Sequence, residues 1–341
     1  MPSNLKIVFG GMSLGKEGTE VARVHSIDTA AALLDIFVAH GHNEIDTARI
    51  YGSGTSEEYF ATLKWKDRGL IMDTKLYPTA RIPVPLNIPE SMTFTHNPED
   101  LRRGLMDSLK ALGTDKVDLF YLHGPDRAVD YEITLRAVNE LYLEGHFSKF
   151  GISNFAAWEV AQICEMCDKN GWIKPSVYQG VYNCFMRGVE TELVPCLRKY
   201  GISLYVFNPL AGGLLTGKYT RDTEAVEAGS RFDTKSFAGK MARHRYWNEY
   251  FFGALEKLTP VAEKNGLTVA ECALRWLVNH SNLKREFGDA VIVGASSTKH
   301  LEENLTDLEK GELPDEVVKA IDEGWGVVSG VPFNTFRIVL H

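Results

Sequence analysis

The chain has 341 residues, 44% hydrophobic and 24% charged, which is the profile of an ordinary globular protein with a sizeable core. Its net charge of −8 at pH 7 argues against nucleic acid or an anionic membrane surface as a partner. We expect neither a signal peptide nor a membrane span, because no apolar run approaches roughly 20 residues. The five scattered cysteines suit reduced thiols, so we predict a cytoplasmic protein.

Short apolar or β-branched runs alternate along the chain with segments of helical periodicity. The predicted strands cover residues 6–12 (including a glycine turn), 43–46, 70–75, 117–122, 150–154, 176–179, 203–208 and 290–294. The predicted helices cover 26–40, 56–64, 97–112, 130–144, 156–170, 191–200, 248–265, 268–280, 299–309 and 314–326. The proline-rich segment 77–96 predicts an ordered loop, and 211–246 is a long connection after the seventh strand.

This alternation predicts an α/β protein with parallel strands and right-handed crossovers. With eight strand–helix units, a closed (β/α)8 TIM barrel is the favoured arrangement, and a doubly wound open sheet is the alternative. No linker or change of composition asks for a second domain, so residues 1–341 are predicted to form one.

Four polar side chains stand at the ends of three consecutive predicted strands. Asp46 and Tyr51 follow the second strand, Lys75 ends the third, and His123 follows the fourth. A tyrosine near an aspartate is by itself usually a buried structural pair. In a parallel barrel, however, the carboxyl ends of all strands share the face that carries the chemistry. These four side chains are therefore candidates to converge on one substrate atom.

The later strand ends are also polar or aromatic. Asn154 and Gln179 could hold a carboxamide, and Phe207 could stack on a flat ring. The helix after strand eight opens in the usual place for a phosphate in such barrels, and it begins with Ser296, Ser297 and Lys299.

Other motifs carry less weight. Residues 212–218 imitate a phosphate-binding loop, but Tyr219 replaces the Ser or Thr that would bind magnesium. Backbone amides there could still wrap a diphosphate. No Gly-x-Gly-x-x-Gly follows the first strand, so no Rossmann site is indicated. Cys164 and Cys167 lie within a predicted helix and are interpreted as buried structural thiols. The histidines lack metal-ligand spacing, so we predict no metal site.

Taken together, these motifs resemble those of the aldo-keto reductases over nearly the whole chain. They are Glu-Ile-Asp-Thr-Ala-x-x-Tyr-Gly (44–52), Thr-Lys (74–75), Tyr-Leu-His (121–123), Gly-Ile-Ser-Asn-Phe (151–155), Tyr-Gln (178–179) and Asn-Pro-Leu-Ala-Gly-Gly-Leu-Leu-Thr-Gly-Lys-Tyr (208–219). The chain is most similar to the branch of aflatoxin-aldehyde and succinic-semialdehyde reductases. That likeness rests on 208–215, Arg231-Phe, Arg245-Tyr-Trp-Asn-Glu, Gly-Ala-Ser-Ser (294–297) and the tail 331–337.

The resemblance implies reduction of aldehydes by NADPH, with ketones, dialdehydes and carboxylated aldehydes as further substrate classes. It implies a catalytic tetrad of Asp46, Tyr51, Lys75 and His123, in which Lys75 lowers the pKa of Tyr51. The implied cofactor contacts are Ser153, Asn154, Gln179, Phe207, Asn208, Leu210, Gly212, Lys218, Ser296, Ser297, Lys299 and Asn304.

Positively charged side chains in the long connection and in the C-terminal loop are expected to contact the substrate. Both segments are predicted to lie over the active site. Arg231 and Arg337 are the candidates for a carboxylate, with Arg245 behind them, and Met12 is a further candidate contact. Surface ion pairs or a subunit contact are the alternative roles for the arginines. Arg49 and the proline-rich segment 81–89 depart from the branch and are expected near the substrate mouth.

Two other functions stay open from sequence. One is a non-catalytic barrel that binds NADPH and regulates a partner protein. The other is an unrelated barrel hydrolase, which the absence of paired carboxylates disfavours. The branch forms homodimers while many relatives are monomers, so both states stay open.

Overall fold

Eight parallel strands close into a barrel in the computed structural model, which describes residues 3–19, 21–82 and 89–330. In chain order they are β1 (Lys6–Gly10), β2 (Glu44–Asp46), β3 (Ile71–Leu76), β4 (Val117–Leu122), β5 (Phe147–Ser153), β6 (Pro175–Val181), β7 (Ser203–Phe207) and β8 (Ala290–Val293). Each strand pairs with the next, and β8 pairs with β1 from Lys6–Ala290 to Phe9–Val293. This closure confirms the predicted (β/α)8 barrel, and the open doubly wound alternative is wrong.

The α-helices of the described residues surround this barrel. They are α1 (Ile27–Ala39), α2 (Thr55–Thr62), α3 (Pro98–Leu112), α4 (Tyr131–Leu143), α5 (Ala157–Asn170), α6 (Leu193–Tyr200), α7 (Phe237–Tyr246), α8 (Glu249–Lys264), α9 (Val269–Asn279), α10 (Thr298–Leu308) and α11 (Asp315–Val328). Each helix from α2 to α6 packs against the next. A second series joins α8, α9, α10 and α1, and α8 also packs against α11. Within these ranges no helix has the length and apolar character needed to cross a bilayer.

Two segments between predicted elements contain structure of their own. The connection after β7 contains α7, which the sequence did not indicate because only Gly239 and Tyr246 of its residues are buried. In the proline-rich segment, short 3-10 helices form at Thr79–Arg81 and Glu90–Met92. The Thr79 hydroxyl donates to the Met92 carbonyl at 2.6 Å, which orders this loop on either side of residues 83–88.

The barrel interior holds a small apolar cluster, separate from the large core between the barrel and the helices. It consists of Val8, Leu119, Tyr121, Val177, Tyr205, Ala290 and Ile292. Gly151 on β5 makes room for Tyr121, because a Cβ there would lie 2.4 Å from the tyrosine ring. This cluster occupies the middle of the barrel interior, and the large open space lies at the carboxyl ends of the strands.

Candidate active site

A cavity of about 2580 Å³ opens at the carboxyl ends of the barrel strands. Its walls come from strand ends and from the long connection after β7. The residues that line it include Gly10, Met12, Asp46, Tyr51, Tyr77, His123, Asn154, Gln179, Phe207, Arg231 and Arg245.

A buried lysine–aspartate pair lies at the base of this cavity. Lys75 is the penultimate residue of β3. It donates from Nζ to both carboxylate oxygens of Asp46 at 2.6 Å and to the Thr47 carbonyl at 2.8 Å. The amide of Gln179 donates to the same carboxylate at 2.7 Å. Burial alone would lower the pKa of Lys75, but Asp46 and Tyr51 together outweigh it and raise that pKa. Lys75 is therefore an ammonium ion with no exposed surface.

Tyr51 lies above this pair in the turn that follows β2. Its ring centroid is 5.0 Å from Lys75 Nζ. Burial raises the pKa of the Tyr51 phenol above its ordinary value of 10.0, while the charge and hydrogen bond of Lys75 pull it down. Lys75 thus shifts the pKa of Tyr51 in the expected direction, but the opposite effect of burial on this pKa is larger. The net shift of the Tyr51 pKa is therefore upward, and Tyr51 keeps its proton at neutral pH.

The turn that carries Tyr51 is fixed by Arg49. Its guanidinium donates to the buried Glu57 at 2.6 Å and to the Asp107 carbonyl at 3.2 Å. Gly54 has φ of 90°, and a Cβ there would lie 1.8 Å from the Arg49 side chain. Arg49 therefore supports the turn from behind, and the expected place at the substrate mouth is wrong.

His123 completes the cluster as a neutral imidazole. It is wedged between two aromatic rings, with centroids 5.6 Å from Tyr51 and 5.5 Å from Tyr77, both near perpendicular. Burial, helped by the charges of Lys75 and His96, holds the pKa of His123 well below its usual range. Tyr77 was not among the residues expected from sequence. It stands two residues after Lys75, however, and this spacing places side chains on one face of a strand.

Most of the residues expected to hold the cofactor reach the cavity wall. They are Asn154, Gln179, Phe207, Asn208, Leu210, Gly212, Lys218, Ser296 and Asn304. The remaining three have other surroundings. Ser153 is buried and accepts a hydrogen bond from the Asn154 amide at 2.9 Å, and Ser297 caps α10. The Lys299 side chain is 79% exposed beside Glu303.

An ion-pair bridge crosses one side of the cavity, and no sequence motif indicated it. Glu227 accepts from Lys218 at 3.1 Å and from Arg23 at 3.3 Å. Arg23 also donates to the Gly229 carbonyl at 2.9 Å. The bridge therefore joins the loop after β1 to the connection after β7, which are far apart in sequence.

Arg231 is a cation that reaches the cavity near Tyr51. Its Nη1 lies 3.2 Å from Met12 Sδ, and within the described part of the chain it forms no ion pair with a carboxylate. Burial lowers the pKa of its guanidinium, and the nearby Tyr51 raises it. The structure thus brings Met12 and Arg231 together, while Arg337 and the C-terminal loop lie outside the described residues.

This barrel and site match a known protein family. The aldo/keto reductase profile matches residues 6–325, and the chain belongs to the aldo/keto reductase family. An aldo-keto reductase from Pseudocercospora fijiensis is 53% identical, covering 87% of this chain and 97% of its own length. The aldo-keto reductase pigE from Monascus ruber is 51% identical over 95% of both chains.

Further relatives confirm the branch that the motifs indicated. Aflatoxin B1 aldehyde reductase member 2 from Mus musculus is 42% identical, covering 93% of this chain and 86% of its own length. The protein is therefore an oxidoreductase, and a barrel hydrolase is excluded.

Proposed function

We propose that this protein reduces aldehydes to primary alcohols with NADPH, using Tyr51 as the proton donor. The observation that carries the proposal is the stack at the base of the cavity, in which an anionic Asp46 holds a cationic Lys75 beneath a protonated phenol. Such a group of charges has no need to exist in a barrel that only binds a ligand, because burying an ion pair is costly. The named activity of the aflatoxin aldehyde reductases supports the same class of substrate.

The protein residues would act on the carbonyl oxygen. Neutral His123 would donate a hydrogen bond to that oxygen and orient it, and Tyr51 would transfer its O–H proton to it. Lys75 would stabilise the phenolate that forms, because its charge favours the ionised phenol. The nicotinamide ring, when bound, supplies the hydride to the carbonyl carbon. These donors would act where negative charge develops on the carbonyl oxygen.

The cavity suits a dinucleotide cofactor. Asn154 and Gln179 offer carboxamide groups beside the tetrad, and the ring of Phe207 offers a flat apolar face. Gly212 and Gly213 have φ of 68° and 102°, which turns the backbone sharply at the groove, where a diphosphate would need close approach. Ser296 lies at the N-terminal end of α10, which favours the 2′-phosphate of NADPH.

Arg231 would select the substrate. A partly buried cation without a protein carboxylate, close to the proposed proton donor, is suited to bind a carboxylate carried by the aldehyde. Carboxylated aldehydes are therefore the substrate class that this cavity fits best.

Oxidation of NADPH with a panel of aldehydes tests the proposal. We expect steady turnover with the wild-type enzyme and none above background with Lys75→Met. Cofactor binding without turnover for every aldehyde would instead support the regulatory alternative. The single domain, the cytoplasmic location and the homodimer stay predictions.

A further inference from the structure

Asp73 is buried in the barrel interior, one layer below the catalytic cluster. It lies on β3 two residues before Lys75, and its Cα is paired with that of Asp46 on β2. The residue has no exposed surface. Neither of its carboxyl oxygens has a hydrogen-bond partner among the described residues, and the same holds for the hydroxyl of Tyr121.

Geometry decides which of the two aspartates is ionised. Paired residues on neighbouring strands lie about 5 Å apart, so two carboxylates there would repel each other strongly. Asp46 has the ammonium of Lys75 and the amide of Gln179 as partners, whereas Asp73 has neither. The proton therefore belongs on Asp73.

The other charges that face Asp73 act in the same direction. Glu44 on β2 and Asp118 on β4 add negative charge, although each binds a lysine at 2.9 Å, Lys6 and Lys149 respectively. Burial raises the pKa of Asp73 well above its usual range, Glu44, Asp46 and Asp118 raise it further, and only Lys75 opposes them.

Polar groups continue from this point to the opposite end of the barrel. The Tyr121 ring lies 5.8 Å from Lys75 Nζ, and its hydroxyl is the next unpartnered group in the interior. Beyond it, the Tyr205 hydroxyl accepts from Lys6 Nζ at 2.8 Å. The Lys6 side chain is 42% exposed and so reaches solvent at the amino-terminal end of the strands.

Buried carboxyl and hydroxyl groups without protein partners commonly bind water. A metal ion does not fit here, since no cluster of three or more suitable ligands occurs in the described part of the chain. Water beside Asp73 and Tyr121 would connect the catalytic cluster to Tyr205 and Lys6.

We propose that Asp73 stores the proton that re-protonates Lys75, and through it Tyr51, after each reduction. Water from the amino-terminal end of the barrel then re-protonates Asp73. Each turnover consumes one proton, and a bound cofactor and substrate close the cavity on the other side. After Tyr51 has given its O–H proton to the substrate, Lys75 returns one of its N–H protons to the phenolate. The Asp73 O–H then breaks, and its proton passes over a bridging water molecule to the Asp46 carboxylate, which hands it to the Lys75 amine along their hydrogen bond. A proton from bulk solvent at the Lys6 end then passes along the water to Asp73, and each water molecule gains one proton as it gives one up.

This inference rests on the proposed function, so its test has a readout independent of activity. In the infrared spectrum, a protonated carboxylic acid has a C=O band separate from carboxylate bands, and the band shifts in D2O. We expect this band in the wild-type protein at neutral pH and its loss in Asp73→Asn. Asp118→Asn, at the next strand, is the matched control and should keep it. A wild-type spectrum that Asp73→Asn leaves unchanged would overturn the proposal.

Kinetics test the role of that proton. Asn keeps the shape and neutrality of the protonated Asp73 but cannot pass a proton on. We expect kcat of Asp73→Asn to fall by about tenfold, less than the full general-acid term, with unchanged NADPH binding. The solvent isotope effect on kcat should rise and the effect of deuterated NADPH should shrink, since proton return becomes slow. Tyr121→Phe keeps the ring and should show the same pattern more weakly.

If Asp73 had only a structural role, Asp73→Asn would lower kcat without changing either isotope effect. That result would contradict a role of Asp73 in proton transfer. Wild-type protein without turnover would defeat the proposed function, while the infrared band would still report the proton on Asp73. An active enzyme without the band would defeat this inference alone.

Discussion

The ring of Tyr51 meets the imidazole of His123 nearly edge-on, with centroids 5.6 Å apart and planes at 81°. This contact fixes the phenol relative to the second polar group of the site without a hydrogen bond between them. Both side chains line the cavity, so both can reach one substrate oxygen. The shift in their pKa values keeps the phenol protonated and the imidazole neutral at pH 7.

Tyr51→Phe should therefore lower kcat by roughly 10²–10⁴ without weakening NADPH binding, because it removes the acid but keeps the ring against His123. Single-turnover reduction of an aldehyde and a cofactor titration measure the two quantities. Tyr77→Phe is the matched control, since its ring contacts the other side of His123. If Tyr51→Phe keeps more than about a tenth of the wild-type rate of the chemical step, Tyr51 is not the acid.

Arg231→Ala should raise KM for an aldehyde that carries a carboxylate and leave KM for its neutral analogue nearly unchanged. A lost ion pair affects binding of ground state and transition state alike, so kcat should change little. The increase should be about tenfold or more, given the strength of a charge-assisted hydrogen bond. Equal loss for both substrates would show that Arg231 supports the fold or the cofactor site instead.

Ser296→Ala should reduce the preference for NADPH over NADH by about tenfold, because a hydrogen bond to a charged phosphate is lost. The ratio of kcat/KM for the two cofactors measures this. Lys299→Ala is the control, and it should leave the ratio nearly unchanged because that side chain is 79% exposed beside Glu303. A wild-type enzyme with equal kcat/KM for NADPH and NADH would show that Ser296 does not bind a 2′-phosphate.

Glu227→Gln should speed the release of bound cofactor, because it weakens the bridge from Lys218 to Arg23 across the groove. Exposed ion pairs contribute little, so the expected increase in the dissociation rate is only about threefold. Stopped-flow displacement of NADPH measures it. Glu224→Gln, in the same connection, controls for the change in charge and should leave the rate unaltered.

His40 should stabilise the fold in a pH-dependent way. Burial alone would lower its pKa, but Glu309 at 2.6 Å and Glu302 at 3.3 Å raise it above 6.5 overall. The stabilisation is complete below pH 6.5 and is lost as the pH rises through the folded-state pKa. His40→Gln should thus reduce the free energy of unfolding by about 1 kcal/mol at pH 6 and less at pH 8.5. Urea unfolding at pH 6 and pH 8.5 measures this difference. An equal loss of unfolding free energy at both pH values would contradict the charge-based explanation.

The strand ends were predictable because parallel topology alone brings Asp46, Tyr51, Lys75 and His123 to one face. Helix starts followed from local chemistry, as at Asn97, whose side chain accepts from the Asp100 amide at 2.8 Å. These features depend on short stretches of sequence and on one rule of topology.

The features that could not be predicted from sequence depend on contacts between segments that are distant along the chain. Arg49 differs from the resembling branch and was expected at the mouth, but Glu57 turns it inward. The pKa of Tyr51 depends on how deeply the barrel buries it, which no motif encodes. Asp73 could have been placed inside the barrel by its two-residue spacing from Lys75, yet its lack of partners becomes evident only in three dimensions.

The pairing of β1 with β8 also determines when the newly synthesised chain can complete its fold. Residues 6–9 pair with residues 290–293. The first strand therefore cannot form this half of its hydrogen bonds until nearly the whole chain has left the ribosome. Until then β1 and β7 are open edges, to which other chains can add. Truncation before residue 290 should therefore yield aggregates rather than a smaller folded protein, and the rate of β8 synthesis should limit how soon the nascent chain becomes resistant to protease.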